Sequence, residues 1–105
     1  MRKFETGAVR DDETEKADYI ETISWTALHR FAKYMTGCKA KYGSGNFKKG
    51  IPTASYERSA SRHWSQYLRN KYENGNDEPE VDHLAAVIFN VFGVIHEEEQ
   101  KKLRK

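Results

Sequence analysis

The chain has 105 residues and a net charge of +2, with 37% hydrophobic, 32% charged and 12% aromatic residues. That length suits one domain with a thin stability margin, and the aromatic content excludes a chain disordered throughout. The slight positive excess is too small to mark a nucleic-acid binder, and no apolar run approaches the ~20 residues of a membrane span.

Residues 1–22 carry no helical period. Gly7 and the acidic run DDETE (11–15) predict an extended, solvated arm, with Tyr19 and Ile20 available to pack it onto the body or onto a neighbouring subunit. MRKFETG lacks the apolar stretch of a secretory signal. Cys38 is the only cysteine, so no intrachain disulfide can form. A cytoplasmic, reducing environment is the simple expectation.

The first main helix is predicted at about 24–41. Ser24 is a good N-cap, and Trp25, Leu28, Phe31 or Ala32, and Met35 recur at three- and four-residue steps. Gly37 or Gly43 supplies the stop. Then comes KYGSGNFKKGIP (41–52), with three glycines, three lysines, Asn46 and Phe47. Read alone, this stretch is a connector between helices or a cradle whose backbone N–H groups surround an oxyanion. It fits neither a Walker A loop nor a dinucleotide-binding turn.

The second helix is predicted at 53–73. Its apolar face is Tyr56, Ala60, Trp64 or His63, Tyr67 and Leu68. A second stripe runs Ser55, Ser59, Arg62, Gln66 and Arg69. Asn74-Gly75-Asn76 ends it. The third helix, about 79–103, has Pro79 in its first turn. Val81, Leu84, Ala85, Ile88, Phe92 and Ile95 form the expected core stripe, and His83, Ala86, Asn90, Gly93 and Glu97 run along another side. This helix is apolar on more sides than one three-helix domain can cover, so a homo-oligomer is expected. The predicted fold class is all-α: three main helices and an extended N-terminal arm in a single domain, 1–105.

Four groups of residues carry chemistry. Asp77, Glu78, Glu80 and Asp82 are hard oxygen donors of the kind Mg²⁺ uses, or they complement the positive end of the third helix. Asp82 and His83 are the candidate catalytic residues, because they begin its buried part. Asn90 stands one heptad beyond His83, with small residues between the polar ones that leave room for a ligand or another helix. Gly93 within a helix costs about 1 kcal/mol against alanine, which a close approach by another group would explain. Arg62 and His63 sit mid-helix, and Arg is the usual fork for phosphate. Lys41, Lys48 and Lys49 add charge to the loop.

In chain order these pieces are GAVRD (7–11), KADY (16–19), KYGSGNFKKGIP (41–52), SASRH (59–63) and DHLAAVIFN (82–90). Their series resembles a small phage-encoded family, the dATP/dGTP diphosphohydrolase N-terminal domain, over nearly the whole chain. That family is similar in outline to the all-helical nucleotide pyrophosphohydrolases of the MazG and dimeric dUTPase type. The resemblance implies a nucleotide ligand in a host-cell cytoplasm. Arg62, His63 and the loop lysines Lys41, Lys48 and Lys49 would hold phosphates, while Asn46, Phe47 or Asn90 would contact base or sugar. It also implies Mg²⁺-dependent cleavage of a purine deoxynucleoside triphosphate to monophosphate and pyrophosphate, with metal candidates Glu78 and Asp82. The enzymes of that type use EExxE on one helix and ExxD on the next, because several carboxylates must hold the metal that activates water. Here SRHWSQYL carries no carboxylate. A protein that sequesters a nucleotide or a nucleotide messenger without cutting it is therefore the alternative. A third reading is an interaction module using the basic loop, with nucleic acid an unexpected partner.

Overall fold

A computed structural model describes residues 2–10, 16–73 and 80–104. Two short strands, β1 (Arg2–Lys3) and β2 (Val9–Arg10), pair antiparallel with Arg2 opposite Arg10 and Lys3 opposite Val9. The turn between them closes through Phe4 N–H to Ala8 O at 2.9 Å and Gly7 N–H to Phe4 O at 2.9 Å. A single helical turn, α1 (Tyr19–Thr22), follows, with Asp18 accepting from the backbone of Ile20 and Glu21, both at 3.0 Å. Tyr19 and Ile20 remain 69% and 75% exposed.

Helix α2 spans Trp25–Tyr42. Ser24 caps it by accepting from Ala27 N–H at 3.2 Å. Gly37 does not stop it. The helix ends at Gly43, whose positive φ of 86° only glycine adopts without strain. The loop then forms one 3₁₀ turn, Asn46–Lys49, entered through Gly45 at φ 71°. Helix α3 (Thr53–Glu73) starts directly after Pro52, a residue suited to the edge of a helix because its missing N–H is not needed there. Helix α4 covers Glu80–Leu103. Among the described residues no helix is long and apolar enough to cross a membrane.

Helix α4 is the centre of the fold, and α3 lies along it more intimately than α2 does. The packing corrects one expectation. The face of α4 turned into the protomer is not the apolar stripe but the small and polar one: His83, Ala86, Asn90, Gly93 and Glu97 are all buried, beside Ala85. Small residues let α3 come close. A Cβ built on Gly93 would lie 2.3 Å from the Tyr56 ring, so the glycine is the slot that seats this tyrosine. The polar members are satisfied across the contact, as buried polar groups must be. Meanwhile Val81, Ile88 and Ile95 face outward, and the exposed Phe92 meets Phe31 of α2 edge-on with centroids 5.7 Å apart.

Candidate functional site

A cavity of about 410 Å³ opens between α2, the glycine loop, α3 and α4. Each wall follows from a local pattern. From α2 come Tyr34, Met35, Cys38, Lys39 and Tyr42, the helical steps of its last two turns. The loop gives Gly43, Asn46, Phe47 and Ile51. Helix α3 gives Ser55, Ser59 and Arg62, which is the stripe already visible as a four-then-three spacing, together with Tyr56 and His63. Helix α4 closes the back with Ala86, Phe89 and Asn90.

The polar wall is internally ordered. Asn90 is 5% exposed, and its amide Nδ2 donates to Ser59 Oγ at 3.1 Å and to Ala86 O at 2.7 Å. Both amide hydrogens are thus used within the protein, which leaves the carbonyl Oδ1 as the acceptor for a ligand. Ser59 Oγ also accepts from Arg62 Nη2 at 3.3 Å, so one hydroxyl ties the arginine of α3 to the asparagine of α4. Arg62 itself is exposed and keeps most of its guanidinium fork for an anion. His63 Nδ1 lies 3.0 Å from His83 Nδ1, and the rings are tilted at 42°. His83 is fully buried behind His63 and does not line the cavity.

The loop is held by α4. Glu97, 8% exposed, accepts from the backbone N–H of Ile51 at 3.2 Å, and Phe47 packs edge-on against His96 with centroids 5.2 Å apart. Phe47, Met35 and Phe89 also form one side of a second, apolar hollow of about 310 Å³ with Phe31, Phe92, Gly93 and His96. Tyr56 is 2% exposed and packs edge-on against Phe89. Its buried hydroxyl has no hydrogen-bond partner among the described residues. Burial pushes the Tyr56 phenol above its ordinary value, and the Glu97 carboxylate adds to that rise.

Of the residues singled out from the sequence, Arg62, His63, Asn46, Phe47 and Asn90 meet on this one cavity. Lys41, Lys48 and Lys49 do not line it. Lys41 lies over the Tyr42 ring at 5.0 Å and Lys48 over the Phe47 ring at 5.9 Å, each against an aromatic residue of the wall. The lysine that reaches the cavity is Lys39. Like Tyr34 and Tyr42, it is hidden in the sequence within an amphipathic helix, where position before a glycine stop is the one available signal. Asp82 makes an ion pair with Arg30 of α2, side chains partly exposed, and does not face the cavity. Glu78 lies outside the described residues.

Magnesium needs several converging oxygen donors. No group of three His, Cys, Asp or Glu side chains that could hold a metal ion occurs among the described residues, and the described cavity wall carries no carboxylate. The described residues therefore do not fit a magnesium centre. What the wall does offer is two cations, two amides and several aromatic faces. No curated protein and no solved structure matches the chain. Residues 5–105 match the model of the family described as dATP/dGTP diphosphohydrolase, N-terminal, and the chain belongs to that family.

Proposed function

We propose that the protein binds a purine deoxynucleoside triphosphate in the cavity between α2, the glycine loop, α3 and α4. One observation carries this reading: Arg62, His63, Asn46, Phe47 and Asn90, scattered over sequence positions 46 to 90, line a single cavity of about 410 Å³, within the ~300–1,000 Å³ range of small-molecule sites. The polar half suits the triphosphate, with Arg62 as the forked donor and Lys39 as a second charge. The apolar half suits the base. Phe47 and Phe89 supply ring faces and edges, and Asn90 Oδ1 accepts from a purine N–H. The family description supplies the purine class.

Cleavage to the monophosphate and pyrophosphate is the reaction the family description favours. A second reading is favoured by the wall itself: with no carboxylate on its described part, the cavity is built to hold a nucleotide rather than to activate water against it. Incubating the protein with Mg²⁺ and dATP or dGTP, then analysing the products, separates the two. Pyrophosphate release supports hydrolysis. Recovery of intact nucleotide from the denatured complex supports retention. A nucleotide neither bound nor cleaved overturns both.

A further inference from the structure

Three consecutive glutamates near the end of α4 have different surroundings. Glu98 and Glu99 are exposed and pair with Lys101 and Lys102 at 3.3 and 3.0 Å. Glu97 is buried, and among the described residues its hydrogen bond comes from the backbone N–H of Ile51 at 3.2 Å. A buried carboxylate is costly unless it is hydrogen-bonded. Packing alone would favour an apolar side chain at this position, so the acid is best explained by what it holds.

It holds one end of a loop with little support of its own. Gly43, Gly45 and Gly50 stand at φ 86°, 71° and 92°, a path that is costly in entropy to fix. The backbone bonds inside the turn are Lys48 N–H to Gly45 O at 3.0 Å and Gly50 N–H to Phe47 O at 3.4 Å. Neighbouring residues of α4 reach both sides of it: the His96 ring meets Phe47, and Glu97 takes the N–H of Ile51. Asn46, Phe47 and Ile51 line the cavity, whereas Glu97 does not. Lys39 and Arg62 stand instead within α2 and α3, whose own helical bonds hold them in place. The two halves of the cavity therefore have separate supports.

We infer that Glu97 is a positioning residue for the base half of the cavity: without touching the nucleotide, it fixes the loop that carries Asn46 and Phe47 and so sets the preference for a purine. This inference rests on the nucleotide reading above. Loss of the anchor frees Phe47 to leave the wall, which removes the aromatic contact with the base and leaves the grip on the phosphates intact. The signature is a loss of discrimination, since a general loss of structure would weaken every nucleotide alike.

Two substitutions of similar length separate the acceptor from the bulk. Glu97→Gln keeps a carbonyl oxygen for Ile51, whereas Glu97→Met fills the same space with a thioether, a weak acceptor. The full chain and both variants are titrated with dATP, dGTP and dCTP, and exchange of the Ile51 amide is followed by NMR without nucleotide. Glu97→Met is expected to bind the purine nucleotides about tenfold more weakly, the loss expected from one broken charge-assisted bond, and to bind dCTP within about twofold of wild type, a change small enough for an untouched phosphate grip. Glu97→Gln is expected to keep the purine preference. The Ile51 amide is expected to exchange slowly in the wild type and Glu97→Gln and at least about tenfold faster in Glu97→Met, the opening of one hydrogen-bonded loop. Equal weakening of all three nucleotides in Glu97→Met, or an unchanged purine preference, overturns the positioning role. Equal Ile51 exchange in wild type and Glu97→Met overturns the anchor itself. A wild type that binds neither purine nucleotide overturns the reading beneath it, an outcome distinguished by the exchange measurement, which needs no ligand.

Discussion

The Nδ1 atoms of His63 and His83 face each other at 3.0 Å. One must carry the hydrogen and the other the lone pair, since two N–H groups would repel. His83, 1% exposed, thereby orients His63 at the cavity wall from a position no ligand reaches. Replacing His83 by alanine removes that contact and leaves a void. The expected loss is about 2–4 kcal/mol from the void and the broken pair, read as a lower denaturant midpoint. An unchanged midpoint contradicts the pairing.

Two glycines in helices make opposite predictions. Gly37 has nothing within 4 Å of a built Cβ, so Gly37→Ala should stabilise the protein by about 0.5–1 kcal/mol through helix propensity alone. Gly93→Ala gains the same propensity but drives a methyl into the Tyr56 ring. Overpacking of that kind costs about 1–3 kcal/mol, and with a ring at 2.3 Å the upper part of that range applies. Gly93→Ala should therefore be destabilising, and its cost should shrink in a Tyr56→Leu background. Additive effects in that double variant contradict the contact.

The Tyr56 hydroxyl predicts an alkaline effect. Its folded proton affinity lies above the ordinary value of 10.0, through burial first and Glu97 second. Between the ordinary and the folded value the unfolded chain loses the proton first, so stability is full below the ordinary value and falls as pH rises through the folded one. Tyr56→Phe keeps the ring against Gly93 and removes the unpartnered hydroxyl. It should be no less stable at neutral pH and should flatten the alkaline decline. An identical decline in both proteins contradicts the role given to the hydroxyl.

Positive charges near the cavity are not equivalent. Arg62 lines it, whereas Lys49 on the exposed side of the loop does not. Arg62→Ala should weaken nucleotide binding by about tenfold or more, the loss of a charge-assisted bond of roughly 1.5–3 kcal/mol. Lys49→Ala should change it by less than about twofold, a screened surface charge. Equal effects in equilibrium titrations would show a diffuse electrostatic attraction instead of a site.

Much of the fold is legible in the amino-acid order itself. The bounds of α3, the Ser24 cap and the glycine exit of α2 follow from local chemistry that acts within a few residues. Motif order hints that Arg62 converges with Asn46 and Asn90, but no local rule places them on one wall. The inward face of α4 escapes a sequence reading for a physical reason. Both stripes repeat at three- and four-residue steps, so periodicity does not separate them, and hydrophobicity selects the one containing Ile88 and Phe92. The protomer buries the other because Ala86 and Gly93 admit α3 closely and because Asn90 and Glu97 find partners in Ser59 and Ile51. The lysines show the same limit: their charge is visible in sequence, but the side of the 3₁₀ turn that Lys48 and Lys49 occupy, or of the helix end that carries Lys41, is not.

Calorimetric titration of the protein with dATP and dGTP tests the nucleotide reading most directly, with Arg62→Ala and Asn90→Ala as paired variants. The cavity predicts one nucleotide per chain, a purine preferred over a pyrimidine triphosphate, and at least about tenfold weaker binding in Arg62→Ala, a single lost charged contact. No binding of either purine nucleotide, or binding that neither substitution alters, would contradict it.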